Sequence, residues 1–489
     1  MLFSSSCTTG VVVARRAFLR RTATLLGMGL LPGVVAACGG TPSLSVSSAS
    51  TLATSAAATS AGPSTTNAAA TSRPSASIAS AAATSSSGVV KSGGTHLVFL
   101  DPDNATLGDI KTKAVAAYNS QTAGVSVERV YGEGAKTYEK LQAMIAGGTS
   151  PDIFWSWGYW LSAAASKGAL RAFDDYVARE PTNTYVSTWS PAAKDSGQFA
   201  GKLFGFTTQL GVPGIYVNED MFKSSDVALP PADYSSTTWT LDAFVQSART
   251  LTRNGPDGLP QQFGANMWGL WWAGFNWIIE AFGGAVFDPQ HRTSWLDHQE
   301  DIDAVTWLAD LALKEHVAPT SAQNKNNAFA FDAGKSAMLV NWAHAAADHA
   351  KTIGSRFTWN LYPLPRGAKL TVAGASFNWY CLPLDGKQPD PAWQFVRSMA
   401  SPGTVQNFLA QGVSFPYMSS GQDAMWQDFP KLNKKMAIEA MPLLAIAPLL
   451  PRDPEIETAM KKEINPAFDG QRSVREAMLA AKQVVTPLL

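Results

Sequence analysis

Apolar and polar positions along this chain follow two periods, and the switches between them predict its elements. Leu97-Val98-Phe99-Leu100 is a short continuous apolar run, the pattern of a buried strand. Lys111 to Tyr118 reads as a helix, and Val125-Ser126-Val127-Glu128 alternates with the two-residue period of a strand. Tyr138, Leu141 and Ile145 recur at helical spacing until Gly147-Gly148 stops them, and Ile153-Phe154-Trp155 is the next strand. Strand, helix, strand, helix, strand is the order of a parallel sheet, so the pattern predicts an α/β fold. Farther on, Thr240 stands where an N-cap belongs, ahead of Phe244, Ala248 and Leu251 on one helical face. Glu300, Asp301 and Asp303 suit the positive end of a helix that buries Ile302, Val305, Leu308 and Leu311. Asp390-Pro391 reads as a cap and a first helical residue, before Trp393, Val396 and Met399. No repeat of fixed period is visible.

Before residue 93 the pattern is different. Ala14-Arg15-Arg16-Ala17-Phe18-Leu19-Arg20 resembles a twin-arginine export signal, and the apolar run from Ala23 to Ala37 is too short for a good spanning helix. The run ends in Val35-Ala36-Ala37-Cys38, which resembles the cleavage site of bacterial lipoproteins. Residues 1–37 are therefore expected to be a removable signal, with Cys38 as the lipidated first residue of the mature chain. Residues 38–92 are Ser, Thr, Ala, Pro and Gly with almost nothing large, a composition that cannot bury enough apolar surface to offset chain entropy. They are expected to be a flexible tether.

The 489 residues hold 38 basic and 38 acidic side chains, without the basic surplus of a nucleic-acid binder. The signal carries four Arg and no acid, so the mature chain has 34 basic against 38 acidic residues, a mild −4. Of three cysteines, Cys7 lies in the signal and Cys38 at the lipid site, which leaves Cys381 alone and no disulfide available.

Six segments in order carry a family likeness. Tyr138-Glu139-Lys140-Leu141-Gln142-Ala143-Met144-Ile145-Ala146-Gly147-Gly148-Thr149-Ser150-Pro151-Asp152-Ile153-Phe154 resembles a signature of family 1 extracellular solute-binding proteins, the maltose-binding-like group. Gly201-Lys202-Leu203-Phe204-Gly205 is similar to that family's GK-x-Y-G. Tyr216-Val217-Asn218-Glu219-Asp220-Met221-Phe222 is similar to its YN-x-D-x-F, with Val217 inserted. Trp239-Thr240-Leu241-Asp242-Ala243-Phe244 and Phe331-Asp332-Ala333-Gly334-Lys335-Ser336-Ala337-Met338 follow, and Ala392-Trp393-Gln394-Phe395-Val396 resembles a late helix of the group. The resemblance implies a two-lobed periplasmic-binding-protein-like fold with a hinge and an interlobe cleft. It implies lobe 1 from 93–208 plus 341–378 and lobe 2 from 209–340 plus 379–489, with crossings near Thr207–Gly211, Val340–Ala343 and Gly374–Asn378. It also implies a monomer that closes over a sugar and delivers it to the permease subunits of an ABC importer, anchored to the outer face of the cytoplasmic membrane by its lipid.

A sugar needs aromatic plates for its C–H faces and Asn, Gln, Asp or Arg for its hydroxyls. Several of the 16 Trp cluster where the family places its ligand loops. Trp155, Trp157, Tyr159 and Trp160 follow the Pro151-Asp152 strand, at the carboxyl end where α/β sheets bind ligands. Trp268, Trp271, Trp272, Asn276 and Trp277 form a second group. Gln209, Asn341-Trp342 and Ser376-Phe377-Asn378-Trp379 lie at the crossings. Trp155, Trp272, Trp342 and Trp379 are the expected stacking plates, and about half of the named aromatics are expected in the core, because large aromatics dominate interiors. Asp152 is expected to be structural.

Other readings are weaker. Gly334-Lys335-Ser336 lacks the first Gly of a phosphate loop, since position 329 is Phe329. Asp101-Pro102-Asp103-Asn104 lacks the Gly that a calcium loop needs at Thr106 and reads instead as a loop capping the first helix. His344, Asp348 and His349 read as a solvated helix face rather than a metal site, and neither metal nor cofactor is expected. A secreted glycoside hydrolase needs two carboxylates flanking the bond, and Asp174-Asp175 and Glu219-Asp220 are adjacent pairs that point apart. No catalysis is expected. A binder of a non-sugar solute such as a polyamine would need several acids among the aromatics.

Overall fold

The computed structural model describes residues 94–180, 189–267, 271–369, 372–414, 422–446 and 448–489, and the signal, the tether and Cys38 lie outside them. In chain order the strands are β1 (Thr95–Asp101), β2 (Val125–Tyr131), β3 (Ile153–Ser156), β4 (Leu170–Arg171), β5 (Gln198–Phe199), β6 (Lys202–Leu203), β7 (Phe206–Gly211), β8 (Pro213–Asn218), β9 (Arg253–Asn254), β10 (Pro260–Asn266), β11 (Ser336–Trp342), β12 (Trp359–Tyr362), β13 (Val372–Pro383) and β14 (Leu444–Ile446). The expected parallel unit is present. β1 lies between β2 and β3, parallel to both, with the helices Ala105–Gln121 and Thr137–Ala146 as crossovers. That sheet continues through β13 to β14, and β4 and β7 also pair with β13. A second sheet has the order β12-β8-β11-β10-β9, and β5 and β6 form a separate hairpin.

The first lobe is built on the seven-stranded sheet and the second on the five-stranded one. Strand pairing divides the chain differently from the expected boundaries. Residues 343–362 stay with the second lobe, because β12 pairs with β8. Residues 379–400 stay with the first, because β13 runs on against β3, β7 and β4, and the helix Pro389–Met399 packs over β1. Phe395 of that helix meets Phe99 at 5.6 Å and Tyr118 at 5.2 Å between ring centroids. Burying each such ring stabilises the fold by about 1.5–3 kcal/mol.

Local signals hold where they are local. Thr240 accepts a hydrogen bond from the Ala243 amide and caps the helix Leu241–Leu251, which buries Phe244, Ala248 and Leu251. Ser473 and Glu476 close a capping box on the helix Val474–Val485. The late helix differs: it starts at Pro389, one residue before Asp390, and its N-cap Gln388 makes no side-chain bond. Among the described residues no helix is long and apolar enough to cross a membrane.

Asp301 shows which of two effects wins. It stands in the first turn of the helix Gln299–Leu313, where the macrodipole favours its charge by about 0.3–1 kcal/mol. Yet it is fully buried; its Oδ1 accepts one bond, from the Ala285 amide at 3.1 Å, and its Oδ2 has no partner among the described residues. Burial dominates and pushes its pKa up to about 8. A carboxyl raised in the folded state holds its proton there after the unfolded chain has lost it. Stability is then full below about pH 4 and falls as pH rises towards 8. Each pH unit in that window is worth about 1.4 kcal/mol. Asp301→Asn keeps the Oδ1 acceptor and removes the titration. Its urea midpoint is expected to change less between pH 5 and pH 8 than that of the parent and to exceed the parent's at pH 8. Equal slopes for the two proteins refute the assignment.

Candidate functional site

Three chain segments lie side by side where the first sheet passes into the second. β7 runs into β8 through the buried Val212, β11 ends with Trp342 opposite Pro213, and β13 enters the first sheet with Ser376 opposite Gly211. The Ala343 amide donates to the Val212 carbonyl at 2.8 Å. Of the expected crossings, the one near Thr207–Gly211 adjoins the passage at Val212; the chain does not cross at Val340–Ala343, because β12 pairs with β8, and it returns to the first sheet only between β12 and β13.

The polar residues there are largely paired with one another. Gln209, 2% exposed, donates through Nε2 to the Val413 carbonyl at 2.8 Å and accepts at Oε1 from Asn378 Nδ2 at 2.7 Å. Asn378 in turn accepts at Oδ1 from the Gly158 amide at 3.2 Å, the first N–H of the helix Gly158–Ser166. Gln209 is thus occupied in tying the hinge rather than free for a ligand, and Asn378 is mostly so. Asn341 is half-buried; its Oδ1 accepts from the Trp342 amide, and its Nδ2 lies 3.3 Å from His349 Nε2. His349 Nδ1 lies 2.6 Å from Asp332 Oδ1, so the imidazole donates to the carboxylate and accepts from the amide. Ser376 lies in β13 with its side chain outside the described residues.

The second feature is the carboxyl edge of β1 and β3. Because the two strands are parallel neighbours, the loops Pro102-Asp103-Asn104 and Trp157 emerge together. Trp157 is half-buried, stacks on Trp160 at 4.7 Å and 18°, and donates through Nε1 to Asp103 Oδ1 at 3.3 Å. Behind the loop is a buried ion cluster. Lys111 Nζ donates to Asp101 Oδ1 at 2.9 Å and Asp103 Oδ2 at 2.5 Å, and Arg129 Nε to Asp101 Oδ2 at 2.6 Å. Burial raises the Asp101 pKa, partly opposed by Lys111. Two carboxylates and two cations leave no net charge, and no carboxylate here is free to act as an acid or to draw in a polycation.

Two expected plates are in the core instead. Trp155 is 0% exposed, with Lys111 Nζ 3.6 Å from the ring centroid and Tyr380 edge-on at 4.5 Å. Trp379 is 0% exposed, and its ring packs so close to Gly197 and Gly205 that an added Cβ at those glycines would lie 2.9 and 2.7 Å from it. A covered ring has no face to offer a ligand. Trp342 is half-buried beside His344 at 5.6 Å, with Tyr216 Oη 3.0 Å from its carbonyl. Trp271 and Trp272 begin the helix Trp271–Ala281, with side chains outside the described residues, and Trp268 also lies outside them. Asn276, on that helix, is half-buried, and its Nδ2 is buried without a hydrogen-bond partner among the described residues. An unpaired buried amide is costly, on the order of 1–3 kcal/mol, unless something binds it.

Two other readings are corrected. The His344, Asp348 and His349 side chains do not form a solvated face: His349 is buried on Asp332, and burial holds the His344 pKa down to about 4. The loop after β1 does not cap the first helix, since Asn104 makes no side-chain cap bond and its Nδ2 goes to Tyr131 Oη. Asp152 is structural, accepting from the Val98 and Gln388 amides. Among the described residues no group of three metal-ligating side chains gathers.

Gln209→Ala removes the middle of the hinge chain and strands the Asn378 amide and the Val413 carbonyl. It is expected to lower unfolding stability by about 1–3 kcal/mol in urea. A loss below a few tenths would show that the chain carries no structural load.

A family model for bacterial extracellular solute-binding protein matches residues 113–434. A maltotriose-binding protein of Pyrococcus abyssi is 21% identical over 299 residues, 59% of this chain and 59% of that protein, so the match spans under two thirds of the relative. In fold, the chain is similar to an ABC substrate-binding protein of Listeria monocytogenes in complex with cycloalternan (TM-score 0.71, 18% identity, 81% of this chain and 98% of that one). It is also similar to the maltose/maltodextrin-binding domain of Bdellovibrio bacteriovorus bound to maltotriose (TM-score 0.68, 16% identity, 80% and 99%).

Proposed function

This chain belongs to the bacterial extracellular solute-binding protein family, and from that premise we propose that it binds a saccharide between its lobes and delivers it to an ABC importer. The observation that carries the reading is Trp157. Its indole is held by Asp103 and backed by Trp160, so one plate stands fixed at the carboxyl edge of the sheet before any ligand arrives. Fixing a plate in advance spares the binding step its ordering entropy. Trp342 supplies a second indole at the hinge and Asn276 a donor. Asn341 and Asn378 each keep hydrogen-bonding capacity beyond their protein partners.

The neighbours named above were solved with cycloalternan and with maltotriose, which supports an oligosaccharide as the ligand. A polyamine would need free acids among these rings, and the acids behind Trp157, Asp101 and Asp103, are neutralised by Lys111 and Arg129.

In this reading the signal 1–37 exports the chain, Cys38 carries a lipid, and residues 38–92 tether a monomeric domain to the outer face of the membrane. Sugar shifts an open–closed equilibrium, and the closed form docks on the permease.

Maltotriose, cycloalternan and mannobiose are to be compared with spermidine by thermal shift. A saccharide at a hundred times its Kd is expected to stabilise the protein by about 2.7 kcal/mol. Trp157→Ala and Trp342→Ala are each expected to weaken the best saccharide by about 1–3 kcal/mol in calorimetry. Stabilisation by spermidine alone would move the assignment to a polyamine. In a bacterial host, Cys38→Ser is expected to shift the protein from the membrane fraction to the soluble one, and an unchanged distribution would remove the lipid anchor from this account.

A further inference from the structure

The helix Ala105–Gln121 begins without help from its own sequence. Its N-cap Asn104 makes no side-chain bond to the first turn, and no acid stands in that turn. Ala105 is held at a φ of +48°, a conformation that costs an alanine on the order of 1 kcal/mol. A helix start leaves its first amides without intrahelical partners, and they need an acceptor. The acceptor comes from 242 residues away. Asp348 Oδ1 takes the Thr106 amide at 3.2 Å and the Thr106 hydroxyl at 2.5 Å.

The two partners belong to different lobes. Thr106 opens a helix whose Lys111 joins the ion cluster of β1. Asp348 lies on the helix Ala346–Ile353, between β11 and β12 of the second sheet. Its neighbour His349 is pinned there by Asp332 and packs on Tyr216 at 4.3 Å. Ala347 joins Ile110, Phe408 and Val413 in a small apolar cluster at the same seam. His344 Nδ1 has no hydrogen-bond partner among the described residues, and burial keeps its imidazole uncharged at neutral pH.

We infer that Asp348 is a positioning residue that caps the first helix of lobe 1 from lobe 2, so that closing the lobes sets the loop 103–106 that holds Trp157. The consequence for sugar affinity rests on the saccharide reading; the cap itself does not. When the lobes part, Thr106 loses its acceptor, and the loop keeps the supports of its own lobe, Lys111 on Asp103, Arg129 on the Asp103 carbonyl and Tyr131 on Asn104. Asp348 thereby acts on the ligand through Asp103 and Trp157 without touching it.

Both bonds end on one oxygen, which predicts an ordering of variants. Asp348→Asn keeps that oxygen and gives up only the charge; Asp348→Ala gives up the acceptor. Thr106→Val keeps the amide donor and loses the hydroxyl. In the ligand-free full chain, amide exchange over 105–110 is expected to speed up about tenfold in Asp348→Ala, a few-fold in Thr106→Val, and less than threefold in Asp348→Asn. Spin labels on Lys136→Cys and Leu259→Cys, one exposed site on each lobe, should report a longer and broader distance in Asp348→Ala. Exchange within threefold of the parent in Asp348→Ala, or Asp348→Asn as fast as Asp348→Ala, overturns the cap. Global melting of each variant separates local opening from unfolding, and an exchange gain that spreads evenly over the whole chain also counts against it. With maltotriose as probe, Asp348→Ala is expected to bind about tenfold more weakly, chiefly through faster release, and equal affinities refute the coupling. A parent that binds no saccharide refutes the functional reading, while the exchange ordering still decides the cap.

Discussion

The ammonium of Lys111, 1% exposed, organises the first lobe's ligand edge. A buried cation is tolerable only beside carboxylates that also find their remaining hydrogen bonds. Asp101 and Asp103 meet it, and Arg129 completes the balance from β2. Two consequences follow from that requirement. Asp103 is immobilised, and through its other oxygen it fixes the Trp157 indole. Lys111 also sits over Trp155 and closes that ring to any ligand. One buried charge thus decides which of two tryptophans, two residues apart, remains open to a ligand.

Much of the fold is legible in the sequence because its signals are short-ranged. The strand at Leu97, the strand at Ile153 and the Thr240 cap depend on neighbours within a few residues, and each is found where the pattern puts it. The lobe boundaries are not legible in that way. β13 looks like one strand of one lobe, but its twelve residues pair with four different partners, and only the pairing shows which side each stretch serves. Asp301 misleads for a related reason: its place in a helix start is local, and its burial is not.

The site is less legible than the fold. Aromatic content does not separate a plate from a core ring. That distinction is set by what lies over each ring, such as Lys111 on Trp155 or the glycines beside Trp379. Gln209 and Asn378 carry the chemistry of sugar binders, yet the hinge uses that chemistry on itself. The missing cap at Asn104 is not legible either, since Asn is a preferred N-cap residue and only the structure shows its side chain turned to Tyr131. A helix start with no acid in its first turn needs an acceptor from elsewhere, though nothing local says that Asp348 supplies it.

A binding protein of two hinged halves needs passages that bend and edges that do not. The segments beside the passage here have their polar groups paired with one another and with Val413, so rotation of the lobes need not expose unsatisfied amides to the interior. The carboxyl edge of β1 and β3 is rigid for the opposite reason, because ions and stacked rings hold it from behind. The bonds most exposed to lobe motion are those that span the seam, and Thr106 to Asp348 is among them. Placing a helix cap there makes the order of the first lobe's ligand loop depend on the position of the second. Closure is then more than a lid over a finished site: it completes the support of the loop that presents Trp157.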